Sequence, residues 1–385
     1  MLLDKELNCA KDKTFSRIYP FINKYLWEEG VEQVSRYGNV REILNFKTII
    51  ENPVERCTGG FGRNINIFFL LAEALWIWCG SRDVKFLAFF NSRIKEFSDD
   101  GVVFHAPYGY RLRYFGKDRT GEHIDQILLA IKMLSENPED RRVVMQIWDA
   151  ELDLNVKSLD IPCNDLVMLK IRENKLLTTI SNRSNDLHWG LPTNVFQFSF
   201  ISELISSVLG ITQGDQVHNS QSLHFYTNNP IAKTIYRNYK KVDSYDNLIK
   251  ESDLYNYSRV IPFKFNFISQ EPIIRLDELD IFAMNALTQI KLLIDGYKVN
   301  EKFEEELREF SVELYNIYNL LKIYVEYKKA ENKNFEFNTL KRRLAVEKIN
   351  KLFSVYEIKP DICVLALNFF YRNLKDQNEK ILGTF

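Results

Sequence analysis

The chain has 385 residues, 45% hydrophobic and 27% charged, enough for one large domain with an addition or for two domains. Its 51 Lys and Arg nearly balance 52 Asp and Glu, and a net charge of −1 excludes a global pull toward nucleic acid or an anionic membrane surface. The five cysteines are scattered, with no CxxC pair and no zinc-finger spacing, so reduced thiols in a cytoplasm are expected and a metal ligand set is not.

The opening MLLDKELNCAKDK is charged too early for a secretory segment. RIYPFINKYLWEE (17–29) has the spacing of a short amphipathic helix, and REILNFKTIIENP (41–53) alternates like a strand ending at Pro53. The apolar run INIFFLLAEALWIWCG (65–80) is broken by Asn66 and Glu73 and is too short for a comfortable membrane span, so it predicts a buried helix. SDDGVVFHAPYGYRLR (98–113) reads as loop. TGEHIDQILLAIKMLSENP (120–138) predicts an amphipathic helix with Thr120 as N-cap, stopped at Pro138.

RRVVMQIWD (141–149) predicts a strand, and LVMLKIRENKLLTTISNRS (166–184) a hairpin turning at Glu173-Asn174. Residues 193–209 read as another apolar helix, and QSLHFYTNNP (221–230) as a strand ending in a turn. Beyond about residue 275, apolar residues at 303, 307, 310, 314, 317, 321 and 324 keep helical spacing. The expected organisation is therefore a mixed α/β region over 1–275 and a helical extension over 276–385, without internal repeats.

Cys163 sits in DIPCNDLVMLKI, behind a proline at the mouth of a predicted strand. Alone it reads either as a small buried residue or as a nucleophile. Its context is NRSNDLHWGLPTN (182–194), with Arg141-Arg142 upstream and His224-Phe225-Tyr226 downstream. In order and spacing, HIDQI, PEDRRVV, PCN, NRSNDLHWGLPTN and LHFYTNN resemble the thymidylate synthases and their nucleotide hydroxymethylase relatives, over roughly residues 36–230.

That resemblance implies an α/β (α+β) fold: a mixed sheet with long helices, dimerising sheet to sheet. It implies one-carbon transfer from 5,10-methylenetetrahydrofolate to C5 of a pyrimidine nucleoside 5′-monophosphate. C5 is an unreactive vinylic carbon until a thiolate adds to C6, which is covalent catalysis. Cys163 resembles the family nucleophile, and Arg183 is expected to lower its pKa and to bind phosphate together with Ser184. Arg36 resembles the first phosphate arginine, and Arg141 and Arg142 the pair that reaches into the partner's site of a homodimer.

Glu73, a carboxyl in an apolar helix, resembles the proton carrier, with its pKa expected to rise by desolvation. Tyr108 resembles the tyrosine assisting removal of the C5 proton. Asn194 resembles the base reader; its amide leans toward uracil but could rotate to suit cytosine. His224 and Tyr226 resemble the holders of the 3′-hydroxyl, and Asp186 the pterin contact. His105, His123, His188 and His218 match no role.

Four departures stand out. Asn164 replaces the usual histidine after the nucleophile, and Asp149 an asparagine. Ile94 falls where an aromatic wall beside the folate is usual, and the short closing tail is replaced by the helical extension ending KILGTF. Hydride transfer needs a dry site, so losing a wall and a lid favours capture of the transferred carbon by water. The expected product is the hydroxymethyl nucleotide, with thymidylate synthesis proper as the alternative. A non-catalytic nucleotide-binding protein, or an RNA binder through LKRRLAVEK (340–348), is the third reading.

Overall fold

Alternating, β-branched segments build one sheet. The structure, a computed structural model, describes residues 2–35, 38–58, 65–240, 254, 258–330 and 335–372. Within these, nine strands form a mixed sheet: β1 (Leu2–Asp4), β2 (Cys9–Asp12), β3 (Val31–Ser35), β4 (Gly38–Ile50), β5 (Val144–Gln146), β6 (Asn164–Arg172), β7 (Lys175–Asn182), β8 (Asn185–Asp186) and β9 (Thr212–Tyr226). The order is β1-β2-β4-β9-β7-β6-β5, with β3 paired to β4 and β8 to β9. The β6–β7 hairpin turns at Glu173 and Asn174, whose φ angles of 51° and 58° are those of a primed turn.

Eight helices accompany the sheet: α1 (Phe15–Glu29), α2 (Ile67–Trp78), α3 (Val84–Phe90), α4 (Tyr108–Arg113), α5 (Gln126–Glu136), α6 (Ala150–Asp153), α7 (Gly190–Leu209) and α8 (Pro230–Tyr239). α7 lies on one face of the sheet with α2 and α5 against it. α1 and α8 close a second core over Phe46, Leu223 and Phe225. Two local expectations need correcting. The segment read as loop contains α4, which starts behind Pro107. The helix expected from Thr120 starts at Gln126, because the Asp125 carboxylate caps the Leu128 N–H at 3.0 Å while Asp118 holds Thr120 in a turn.

Among the described residues five further helices follow: α9 (Pro272–Asp295), α10 (Glu301–Phe310), α11 (Val312–Lys329), α12 (Phe335–Leu352) and α13 (Asp361–Arg372). All seven apolar positions noted for their helical spacing are buried, and the chain breaks between two helices at Ser311, whose hydroxyl caps the Leu314 N–H at 3.3 Å. These helices share one hydrophobic core with α2 and α7. Tyr324 of α11 stacks on Phe68 of α2 at 4.6 Å, and buried Arg113 pairs with Asp280 of α9 and Asp125. At about 1.5–3 kcal/mol per buried apolar side chain, the seven positions on α10 and α11 contribute on the order of 10 kcal/mol before conformational entropy.

The opposite face of the sheet carries a row in register: Ile49, Val217, Thr179, Met168 and Val144. The first four are half-buried, and Val144 is 50% exposed. No described helix is long and apolar enough to cross a membrane.

Candidate active site at the mouth of β6

Pro162 and Cys163 lead into β6, and the return strand β7 delivers Arg183 beside them. The Arg183 N–H donates to the Cys163 carbonyl at 3.0 Å. Its guanidinium donates to the carbonyls of Pro162 (2.8 Å) and Ile161 (3.1 Å), lies over the Trp148 ring at 5.7 Å, and comes within 3.9 Å of Cys163 Sγ. Arg183 is thus held in place before any ligand arrives.

The expectation of a lowered thiol pKa is corrected for the free chain. Burial pushes the Cys163 thiol above its ordinary value of 9.0; Arg183 opposes this, but Asp160, Asp165 and Asp186 reinforce it. One guanidinium at 3.9 Å does not offset desolvation plus three carboxylates. Alkylation of Cys163 by iodoacetamide, followed by peptide mass spectrometry, is therefore expected to accelerate as pH rises to 9 and beyond. Arg183→Gln should move that midpoint higher still. A midpoint at neutral pH in the free protein would contradict this electrostatic balance.

Glu73 projects from α2, half-buried, and its Oε2 accepts from Gln197 Nε2 of α7 at 2.7 Å. Burial raises the carboxyl to about 7, with the Gln197 bond acting against it. Tyr108 begins α4, stacks on Phe198 at 6.3 Å, and meets the Cys163 backbone. Burial raises its phenol well above 10, with Cys163, Asp160 and Glu73 all within electrostatic reach. The Cys163 thiol and the Glu73 carboxyl therefore both lie within electrostatic reach of the Tyr108 phenol.

Asn194, in the second turn of α7, is 7% exposed and lies over the start of β6, donating to Asn185 at 3.3 Å and accepting from Asn164 at 3.2 Å. Asp186 turns the chain into α7: its Oδ1 accepts the N–H groups of His188 (2.7 Å) and Trp189 (2.6 Å). His224 and Tyr226 stand together at the end of β9, ring centroids 5.7 Å apart. Ser184 links β7 to β8 beside Arg183. Arg141 and Arg142 are exposed ahead of β5, and Arg142 grips Asp140 with bonds of 2.6 and 3.1 Å within its own chain. Arg36 lies outside the described residues.

Several residues near this pocket were not picked out from the sequence. Trp148 packs on Arg183 and Gln197 holds Glu73; Asn185 accepts from Asn194, and Asn182 donates to Asn164, the residue already noted in place of the usual histidine. Trp189 is 58% exposed beside Asp186, with the Arg93 guanidinium 6.0 Å from its ring. The histidines without a role have structural ones. His105 bonds Asp153 at 2.9 Å, His188 meets the Tyr19 hydroxyl at 2.5 Å, and His123 meets the Gly116 carbonyl at 2.8 Å. Burial lowers His218 to about 3.

A thiol beside a fixed guanidinium, with a buried phenol and carboxyl nearby, stands at the entrance to a strand of a mixed sheet. The sequence profile of one family, thymidylate synthase, matches residues 27–259, more than half of the chain, and the chain belongs to that family. It is 38% identical over 224 residues to the deoxyuridylate hydroxymethyltransferase of Bacillus phage SP01, covering 57% of this chain and 58% of the relative. It is 37% identical over 203 residues to that of Pseudomonas phage M6, covering 51% and 56%. Against the thymidylate synthase of Bacillus subtilis subsp. natto it is 33% identical over 160 residues, covering 41% and 56%. The chain thus spans little more than half the length of the curated relatives it matches.

Proposed function

We propose that the protein transfers one carbon to C5 of a pyrimidine nucleoside 5′-monophosphate, deoxyuridylate in the first instance, and releases the 5-hydroxymethyl product. The observation that carries this reading is the proximity of the Cys163 thiol, the Arg183 guanidinium, the Tyr108 phenol and the Glu73 carboxyl, which burial raises to about 7. The names of the two phage relatives, deoxyuridylate hydroxymethyltransferase, support the same substrate and product.

Cys163 Sγ bonds to C6, losing its proton, and the ring's electron pair moves to C5. The carbon donor, 5,10-methylenetetrahydrofolate, supplies one carbon at the oxidation level of formaldehyde. The residues at the mouth suit a pterin-bearing donor, since the Asp186 carboxylate can accept from its N–H groups and Trp189 offers an exposed aromatic face. Arg183 and Ser184, with Arg36, hold the phosphate, and Asn194 reads the base. His224 and Tyr226 take the 3′-hydroxyl. Glu73, near its own pKa, moves protons at O4, and Tyr108 serves removal of the C5 proton. Once the C5 proton is lost and the carbon's bond to the folate has broken, releasing tetrahydrofolate, water adds to the transferred carbon; the electron pair this returns to C5 re-forms the C5–C6 double bond and expels the Cys163 thiolate.

The exposure of Trp189 and the presence of Ile94 rather than an aromatic side chain at the expected wall favour water over hydride. Residues 1–275 carry the site, and the described helices beyond them support it from the shared core. The protein acts as a homodimer through the exposed face of the sheet, with Arg141 and Arg142 offered to the partner's phosphate; Asp140 holds Arg142 until then. Its five cysteines are free thiols, suited to a cytoplasm. The test is product analysis with deoxyuridylate and methylenetetrahydrofolate. The expected outcome is a 5-hydroxymethyl nucleotide with tetrahydrofolate; a 5-methyl nucleotide with dihydrofolate would establish thymidylate synthesis instead, and no turnover of any pyrimidine nucleotide would leave a binding protein.

A further inference from the structure

Asn194 does not stand alone. Five side chains form one directed hydrogen-bond chain: Asn182 Nδ2 donates to Asn164 Oδ1, Asn164 Nδ2 to Asn194 Oδ1 (3.2 Å), Asn194 Nδ2 to Asn185 Oδ1 (3.3 Å), and Asn185 Nδ2 to Ser220 Oγ (3.1 Å). The four asparagines are between 0% and 7% exposed. Their positions are set by the sheet: Asn164 is the register partner of Asn182, and Asn182 that of Ser220. Gly190 keeps the place open, because a Cβ there would stand 3.1 Å from Asn185 Oδ1.

Such a chain has a sense. Turning Asn194 alone by half a revolution would set its oxygen against Asn185 Oδ1 and its NH₂ against Asn164 Nδ2. Two hydrogen bonds become two like-to-like contacts in a buried site. Asn194 inverts only if the neighbouring amides invert with it. Uracil and cytosine differ by this inversion: uracil presents a donor at N3 and an acceptor at O4, cytosine an acceptor at N3 and a donor at N4. A free amide suits either base; a fixed one suits one.

We propose that Asn164 is a positioning residue that, together with Asn182, locks the Asn194 amide and thereby sets the choice of uracil over cytosine. The inference rests on the functional reading above, in which Asn194 meets the base. It corrects the expectation that this amide is free to rotate. Asn164 need not touch the nucleotide to act, and its backbone place in β6 keeps it one residue from the nucleophile.

The experiment measures kcat/KM with deoxyuridylate and deoxycytidylate for the wild-type chain, Asn164→Ala and Asn182→Ala, with thermal melting of each to confirm folding. Wild type should prefer deoxyuridylate at least about 100-fold, the scale of discrimination when a wrong partner strands buried polar groups. Either variant should shrink that ratio about tenfold or more, mainly through a higher KM for deoxyuridylate and a gain with deoxycytidylate. A purely structural role would lower both activities and leave their ratio unchanged. An unchanged ratio in folded variants overturns the inference while the functional reading stands, and so does a wild type that takes both bases equally. A wild type that uses neither nucleotide overturns the functional reading and the inference together. Should Asn164→Ala not fold, Asn182→Ala, which breaks the chain one link further from the nucleotide, carries the same test.

Discussion

Cys163→Ala should lose turnover by a factor on the order of 10⁴ or more, while still binding nucleotide. Without Sγ there is no bond to C6, and C5 stays unreactive whatever else is in place. Arg183 keeps its anchors in this variant, because they are the carbonyls of Ile161 and Pro162, and its own N–H reaches the Cys163 backbone. The sharpest measurement is covalent trapping with a 5-fluoropyrimidine deoxynucleotide and methylenetetrahydrofolate. Wild type should gain mass under denaturing conditions and the variant should not. Turnover that survives the substitution would remove the basis of the functional proposal.

Glu73→Gln should lower kcat by about 10²–10⁴, the usual range for removing an acid–base group, with a smaller change in KM. It should also change how stability depends on pH. The wild-type carboxyl titrates at about 7 in the folded chain against an ordinary 4.5, so the folded state holds the proton more tightly. Stability therefore falls as pH rises from 4.5 through 7, and above 7 a partly desolvated carboxylate costs at most about 3 kcal/mol. Glutamine keeps a hydrogen-bonding group without that charge. Thermal melting should find the variant progressively more stable than wild type as pH goes from 5 to 8. Equal pH slopes would mean that Glu73 is solvated in both states.

Much of this was legible in the sequence because local signals and tertiary packing agree. The apolar run around Glu73 becomes α2, the Glu173-Asn174 pair turns the hairpin, and the periodic positions from Phe303 to Tyr324 are buried. What escaped depends on contacts between distant segments. α4 has six residues and follows a proline, too short to show a period. The break at Ser311 is hidden because α10 and α11 bury the same phase of side chains on either side of it. The amide chain is the clearest case. Its members lie on β6, β7, β8, α7 and β9, and only the sheet's register puts them in line. The sign of the thiol shift was missed for a related reason: Asp160 and Asp165 flank Cys163 in the sequence, but their effect depends on how much water is excluded.

The stacking of Tyr324 on Phe68 has a wider meaning for the molecule. α2 carries the Glu73 carboxyl on one flank and meets the carboxy-terminal helices on another, so the proposed site and the appended helices rest on a common floor. Removing those helices would strip the packing from that flank of α2. A change in the appended helices then reaches the proposed site through the seating of α2, without touching any residue that lines it.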